Sequence, residues 1–391
     1  MLDLYAAQHY MKQSGIDAWL MYDFRGNNPV MWQALGEPRA TSRRNYLFIP
    51  MEGDPVLVVH TIDRLLFDDS PFFKQEYLKW REMQDMLEDL LRSSVRVAME
   101  YSEDCALPMH AFVDAGTVEL IRSFGKEVVS SADLFQVAAA RWSDESVRLH
   151  EKACVEVLDV KDRAFDYIRD HLGREDLNEY EVQQFIRGEF EHRGLITDHG
   201  PIVGVNAHSG DPHFEPSAEE HDPIRPGDWI LIDLWAKYPE PEAVYCDVTF
   251  TGYAGDSVPA KNREIFDIVT GARDAAIDYL TTKYREGAMV RGFEVDDVTR
   301  QYIRAAGYGD YFRHRTGHSM GVSPSPHALG ANIDNLETHD TRELIAGVGF
   351  SIEPGVYLPE FGVRSEVDVF MHPDKGPVVT TEIQRDIILL G

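Results

Sequence analysis

The chain has 391 residues, of which 43% are hydrophobic and 27% charged, with a formal net charge of -29. That length carries two domains with substantial cores, and the composition is that of a folded globular protein and not of a disordered one. So large an acidic excess repels nucleic-acid phosphates and anionic lipid, so neither is an expected partner.

Residues 1–10 lack the basic region and sustained apolar core of a secretory leader, and no later stretch reaches membrane-spanning length, so a cytoplasmic location is expected. Apolar runs predict strands over 17–22, 45–49, 55–59 and 95–99, with a helix over 80–91 between them. They form an α/β unit with no chemical motif of its own. The chain divides near residue 145, giving domains over 1–145 and 146–391. Ser143 is placed to cap a long helix with Val147, Cys154, Leu158, Phe165 and Ile168 on one face, and a second helix follows over 179–192. Cys105, Cys154 and Cys246 are odd in number and scattered, which reads as reduced thiols in a reducing compartment. Cys246 is expected to be core filler.

Chemistry concentrates downstream. Residues 229–235 are an apolar run after the turn signal Arg225-Pro226-Gly227-Asp228, which predicts a buried strand with Asp233 near its end. An ionised carboxylate buried there without compensation costs several kcal/mol, so a cation partner is expected. Asp247 lies in the next apolar run, 244–250, reached through a turn-rich connection, so the two acids can face each other across an antiparallel pair. Glu353 precedes a Pro-Gly turn. Over 362–370 the sequence alternates, putting Arg364, Glu366 and Asp368 on one face and Val363, Val367 and Val369 on the other. Between these acids, Gly317 and Gly321 flank His318, allowing backbone to approach a ligand or metal closely. Taken singly, each acid reads as an ordinary edge or turn residue. Several acids in otherwise apolar strands are not explained by solvated faces.

The order Asp233, Asp247, His318, Glu353, Glu366 resembles that of the pita-bread metallopeptidases, the family of methionyl aminopeptidase, aminopeptidase P and prolidase, and most of all its Xaa-Pro-cleaving branch. The resemblance covers about residues 150–391, and the preceding region fits that branch's extra N-terminal domain. It implies an α/β (α+β) protein: an N-terminal creatinase-like α/β domain, then a C-terminal pita-bread domain with a curved antiparallel sheet. It also implies two divalent ions, with Asp233 on one metal, Asp247 and Glu366 bridging, and His318 and Glu353 completing the second metal's ligand set. His213 and His327 match the family's substrate-side histidines, next to the scissile carbonyl or developing oxyanion, and Glu353 is the expected proton shuttle. Leu234 and Trp235 stand where many relatives have small residues. The loop before Asp247 is lengthened by Pro-Glu-Pro-Glu, the His318 to His327 interval is long, and Ala328 replaces a common acid. These departures bear on pocket shape.

An oxygen-rich shell with one imidazole suits Mn²⁺, with Zn²⁺ or Co²⁺ also accommodated. The expected activity is hydrolysis of Xaa-Pro bonds in short proline-containing peptides, as a dipeptidase or an aminopeptidase P, by a homodimer. The alternatives are a pita-bread enzyme with non-peptide chemistry, such as a creatinase-like amidinohydrolase or a lyase of small sulfonium acids, and a non-catalytic binding module. Retention of all five ligand positions argues against the last.

Overall fold

Asp3 starts the first helix, α1 (Leu4–Ser14), by accepting the Ala6 N–H at 2.9 Å, and Gly15 ends it in the left-handed region at φ 64°. The computed structural model describes residues 2–36 and 38–391, and the chain falls into two compact units that meet between Arg141 and Trp142.

The first unit is built on β1 (Ala18–Phe24), β2 (Arg44–Pro50), β3 (Val56–His60), β4 (Phe73–Tyr77), β5 (Arg96–Met99) and β6 (Glu127–Ser130). Helices α2 (Pro29–Leu35), α3 (Trp80–Leu90), α4 (Ala115–Ser123) and α5 (Ala132–Phe135) accompany them. The strands form one mixed sheet in the order β4-β3-β2-β1-β5-β6. β1 is buried along six of its seven residues, which is why its sequence is apolar over Ala18–Tyr22, ahead of the buried Asp23. The two outer strands escaped the sequence reading. β4 reads Phe-Lys-Gln-Glu-Tyr and sits at an edge, where one face is solvated and the apolar signal is lost.

The second unit opens with α6 (Asp144–His171), capped as expected by Ser143, whose hydroxyl accepts the Ser146 N–H at 3.0 Å. Cys154, Phe165 and Ile168 on its predicted face are buried, with Val147 and Leu158 partly so. After α7 (Glu179–His192) come β7 (Ile202–Val205), β8 (Trp229–Ala236), β9 (Cys246–Tyr253), α8 (Ala260–Arg285), α9 (Gly292–Ala305), β10 (Ser319–Met320) and β11 (Gly349–Ile352). β12 (Gly355–Tyr357), β13 (Gly362–Arg364), β14 (Val367–His372), β15 (Gly376–Val379) and β16 (Ile388–Leu389) complete it. Two four-stranded sheets, β16-β9-β8-β7 and β10-β11-β14-β15, are joined by the β12-β13 ribbon. The pairings are antiparallel except β16 on β9, so the expected curved antiparallel sheet is present with one parallel edge strand. β9 and β14 adjoin where the Asp247 N–H donates to Asp368 Oδ2 at 2.9 Å. That junction places the acids of both sheets side by side.

Candidate metal centre

The β8–β9 register sets the first two acids. Asp233 pairs with Thr249, and Asp247 pairs with Trp235. Asp233 and Asp247 are therefore diagonal neighbours on one face and not directly opposite, because the nine residues between the strands end the ladder at Ala236 and Cys246. Asp247, the midpoint of the apolar run 244–250, is the second residue of its strand. Glu353 follows β11, and Glu366 sits in the break between β13 and β14, where the alternation read from 362–370 is interrupted.

These elements bring Asp247, His318 and Glu366 together with one ligand atom of each within 4.8 Å of the others, all buried. His318 Nε2 lies 3.4 Å from Asp247 Oδ2 and 3.7 Å from Glu353 Oε1. His318 Nδ1 donates to the Ser319 carbonyl at 3.2 Å, which turns the Nε2 lone pair toward the acids. The Ser351 hydroxyl accepts the His318 N–H at 2.9 Å and donates to Glu353 Oε1 at 3.2 Å. Thr249 donates to Glu366 Oε2 at 2.7 Å and accepts from Arg364 Nε at 3.0 Å. Arg364 Nη2 forms a short ion pair with Asp233 Oδ2, while Asp233 Oδ1 is buried with no hydrogen-bond partner among the described residues. All five predicted ligands line one cavity of about 590 Å³, and so do His213 and His327. The His327 ring lies 4.0 Å from that of His318, centroid to centroid.

The close approach allowed by glycine has a different cause from the one expected. A Cβ on Gly317 would meet the Ser351 carbonyl oxygen at 1.9 Å, so this glycine serves the contact with β11 and not a ligand. Trp235 forms part of the cavity wall, its indole N–H donating to Asp198 at 2.6 Å. Sequence reasoning gave no role to Arg364, Thr249 or Ser351. Each stands two positions from a predicted ligand in sequence, Thr249 on the strand of Asp247, Ser351 and Arg364 just before Glu353 and Glu366, and that period-two signal was available. It also missed Asp296 on α9, which accepts from the Thr316 N–H (3.0 Å) and hydroxyl (2.6 Å), the Asn335 N–H (2.9 Å) and Arg300 Nε (2.6 Å). This one carboxylate ties down two loops, 313–318 and 334–338.

The electrostatics are those of a cluster built for a cation. Burial, then the charges of Asp233 and Glu353, raises Asp247 well above the usual carboxylate range. Burial, then Asp247 and Glu353, does the same to Glu366. Glu353 is pushed up to about 7 by burial, with Arg364 and Arg315 opposing. Burial, then His327 and Arg315, keeps His318 neutral, well below its ordinary value. Acids that repel one another, a neutral imidazole aimed at them and an unpartnered carboxylate oxygen are all resolved by divalent cations. The residues present therefore fit a pair of ions, and their hard oxygen donors with one nitrogen suit Mn²⁺-type ions.

A pocket holding four converging carboxylates with the imidazole of His318 among them, at the junction of two sheets, marks a metal-dependent hydrolase. The comparisons specify which: the model of metallopeptidase family M24 matches residues 148–373, and the chain belongs to that family. The putative dipeptidase YkvY of Bacillus subtilis is 34% identical over 220 residues, covering 56% of this chain and 55% of that protein, so the match spans little more than half of that relative. A Xaa-Pro dipeptidase of Pyrococcus horikoshii is 24% identical over 389 residues, 97% of this chain and 96% of that one. Among solved structures, dipeptidase PepE from Mycobacterium ulcerans superposes with a TM-score of 0.74 at 21% identity, over 99% of this chain and 96% of the other, a likeness of fold.

Proposed function

We propose that this protein hydrolyses Xaa-Pro bonds in short proline-containing peptides, using two divalent ions, Mn²⁺ foremost, held by Asp233, Asp247, His318, Glu353 and Glu366. The observation that carries the reading is the convergence of Asp247, His318 and Glu366 within 4.8 Å, on the wall of a cavity shared with the other two acids. The full-length match to a protein named Xaa-Pro dipeptidase supports the substrate class. The N-terminal unit is taken as the creatinase/prolidase-like domain of that branch, and a cytoplasmic homodimer as the working form. Among the described residues no helix is long and apolar enough to cross a membrane.

Bound there, the ions supply Lewis acidity and charge stabilisation for attack of water on the scissile carbonyl. Glu353, on the wall of the same cavity, would take the proton of the attacking water and return it to the leaving proline nitrogen. That nitrogen belongs to a tertiary amide with no N–H, so peptidases that read an extended, hydrogen-bonded backbone handle it poorly. His327 is lowered to about 4 by loss of water around its ring and then by the Arg315 charge, so it is neutral at neutral pH. Arg315 Nη2 approaches His327 Nδ1 at 3.4 Å, which leaves Nε2–H as the donor for the developing oxyanion. His213, exposed on the same cavity, is the second candidate donor. Trp235, tied to Asp198, narrows the space left for substrate.

A substrate-length series tests the reading. Turnover of Ala-Pro with added Mn²⁺, and none of tripeptides beginning Ala-Pro, identifies a dipeptidase, and the reverse identifies an aminopeptidase P. Silence on both, with turnover of a guanidino or sulfonium compound, moves the assignment to a pita-bread enzyme of non-peptide chemistry.

A further inference from the structure

The two lengthened segments of the second unit, the β8–β9 connection and the interval from His318 to His327, touch each other. Lys237 directly follows β8 and Tyr245 directly precedes β9, so they are the two ends of that connection. Lys237 Nζ donates to the Ser323 carbonyl at 2.5 Å, and the Tyr245 hydroxyl donates to the Pro324 carbonyl at 2.9 Å. Neither side chain lines the cavity, whereas Ser325, Pro326 and His327, next along the loop, do.

The lysine is committed to this contact. It is 8% exposed, and its backbone is tied to Ile196 through both N–H (3.0 Å) and carbonyl (2.8 Å). Its ammonium faces the Tyr245 ring, 4.9 Å from the centroid, and among the described residues no carboxylate forms an ion pair with it. A hydrogen bond from a cation is about twice as strong as a neutral one, so the Ser323 carbonyl is firmly held. The loop has little else to fix its shape: Pro324 and Pro326 have no N–H, and residues 321–327 form no helix or strand. The contacts run on to the histidine. The Ser323 hydroxyl donates to the His327 carbonyl at 3.3 Å, and the Ser325 hydroxyl accepts the His327 N–H at 3.2 Å.

We propose that Lys237 and Tyr245 are positioning residues for His327, pinning the loop so that its imidazole stays turned to the cavity beside His318, with ring centroids 4.0 Å apart. What His327 does there rests on the Xaa-Pro reading above; the brace does not. Contacts made to backbone carbonyls hold the loop without using either imidazole nitrogen, so the ring keeps its donor for the developing oxyanion in a fixed place.

Hydrogen exchange and steady-state kinetics on the full-length, Mn²⁺-loaded protein test this together. Lys237→Met keeps the apolar stem and removes the ammonium. Amide exchange over 319–329 should quicken by about tenfold or more, as loss of a charge-assisted hydrogen bond implies, with the helices unchanged. In the same variant kcat on Ala-Pro should fall about tenfold while KM stays within about threefold. Adding Lys237→Met to His327→Ala should cost nothing further, because a brace acts only through the residue it holds. Lys237→Arg, which keeps a cationic donor, should recover most of the loss. Tyr245→Phe lacks a single hydroxyl, should show the same pattern more weakly, and carries the test if Lys237→Met does not fold. Unchanged exchange over 319–329, or losses that add in the double variant, overturns the proposal. A wild type that turns over neither Ala-Pro nor tripeptides beginning Ala-Pro would instead count against the Xaa-Pro reading, and the exchange data then decide the brace.

Discussion

Metal uptake by the cavity should be steeply coupled to pH. Without ions, Asp247 and Glu366 are raised well above the normal carboxylate range by burial and by one another, and Glu353 stands at about 7. His318 is held neutral and has no proton to lose. Acids raised in this way hold their protons to higher pH than free carboxylates do, and below about 7 the proton on Glu353 must also be expelled for ions to bind. Protons compete with the ions for the same oxygens, so affinity rises as pH rises. Each expelled proton changes apparent affinity about tenfold per pH unit, equivalent to about 1.4 kcal/mol. Below Glu353's value of about 7 the expected slope is therefore at least about tenfold per unit, and it flattens as the acids lose their protons. Isothermal titration of Mn²⁺ into metal-stripped protein, at about pH 6 and about pH 8 in buffers of differing ionisation enthalpy, counts the protons directly. Binding independent of pH, with no proton release, would refute the assignment of these acids as ligands.

Other consequences follow from single contacts. Glu353→Gln keeps the shape of the side chain but cannot carry the proton, so kcat on Ala-Pro should fall by about 10²–10⁴ while the protein still unfolds as the wild type does. A fall of less than about tenfold in steady-state assays would remove Glu353 from the proton-transfer role. Asp296→Asn turns an amide toward Arg300, which is bonded to Asp296 at 2.6 Å, and breaks a buried ion pair worth about 3–5 kcal/mol on truncation. Urea unfolding should register a loss of that order, and a loss under about 1 kcal/mol would show that the two loops are held by other contacts. His314, bonded to Tyr357 OH at 2.7 Å, is lowered to about 3 by burial and then by Arg364. Between about 6.5 and about 3 the unfolded chain binds a proton that the folded one does not, so stability falls as pH drops through that window, by up to about 1.4 kcal/mol per unit. His314→Asn should flatten this acid limb, and an unchanged limb would assign it to other groups.

The four acids and His318 were legible in the sequence because each interrupts an apolar strand or stands beside a turn, where a solvated face is a poor explanation. What pairs with them was not. Asp233 and Asp247 are offset by two residues because loop length sets strand register, and nothing in the sequence gives the position at which that loop ends. Arg364 was visible as an alternating residue, but its ion pair with Asp233 joins positions 131 residues apart. The Asp296 clamp lies on a helix whose periodicity announces only core and surface. In the first unit, β1 and β2 were evident from continuous apolar runs, whereas edge strand β4 carries lysine, glutamine and glutamate and reads as loop.

The most direct test is anomalous diffraction at the manganese edge from crystals grown with Mn²⁺. Two peaks are expected within coordinating reach of Asp233, Asp247, His318, Glu353 and Glu366, with Asp233 Oδ1 directed at one of them. A cavity without such peaks, its carboxylates neutralised by Arg364 and by protons alone, would contradict the account.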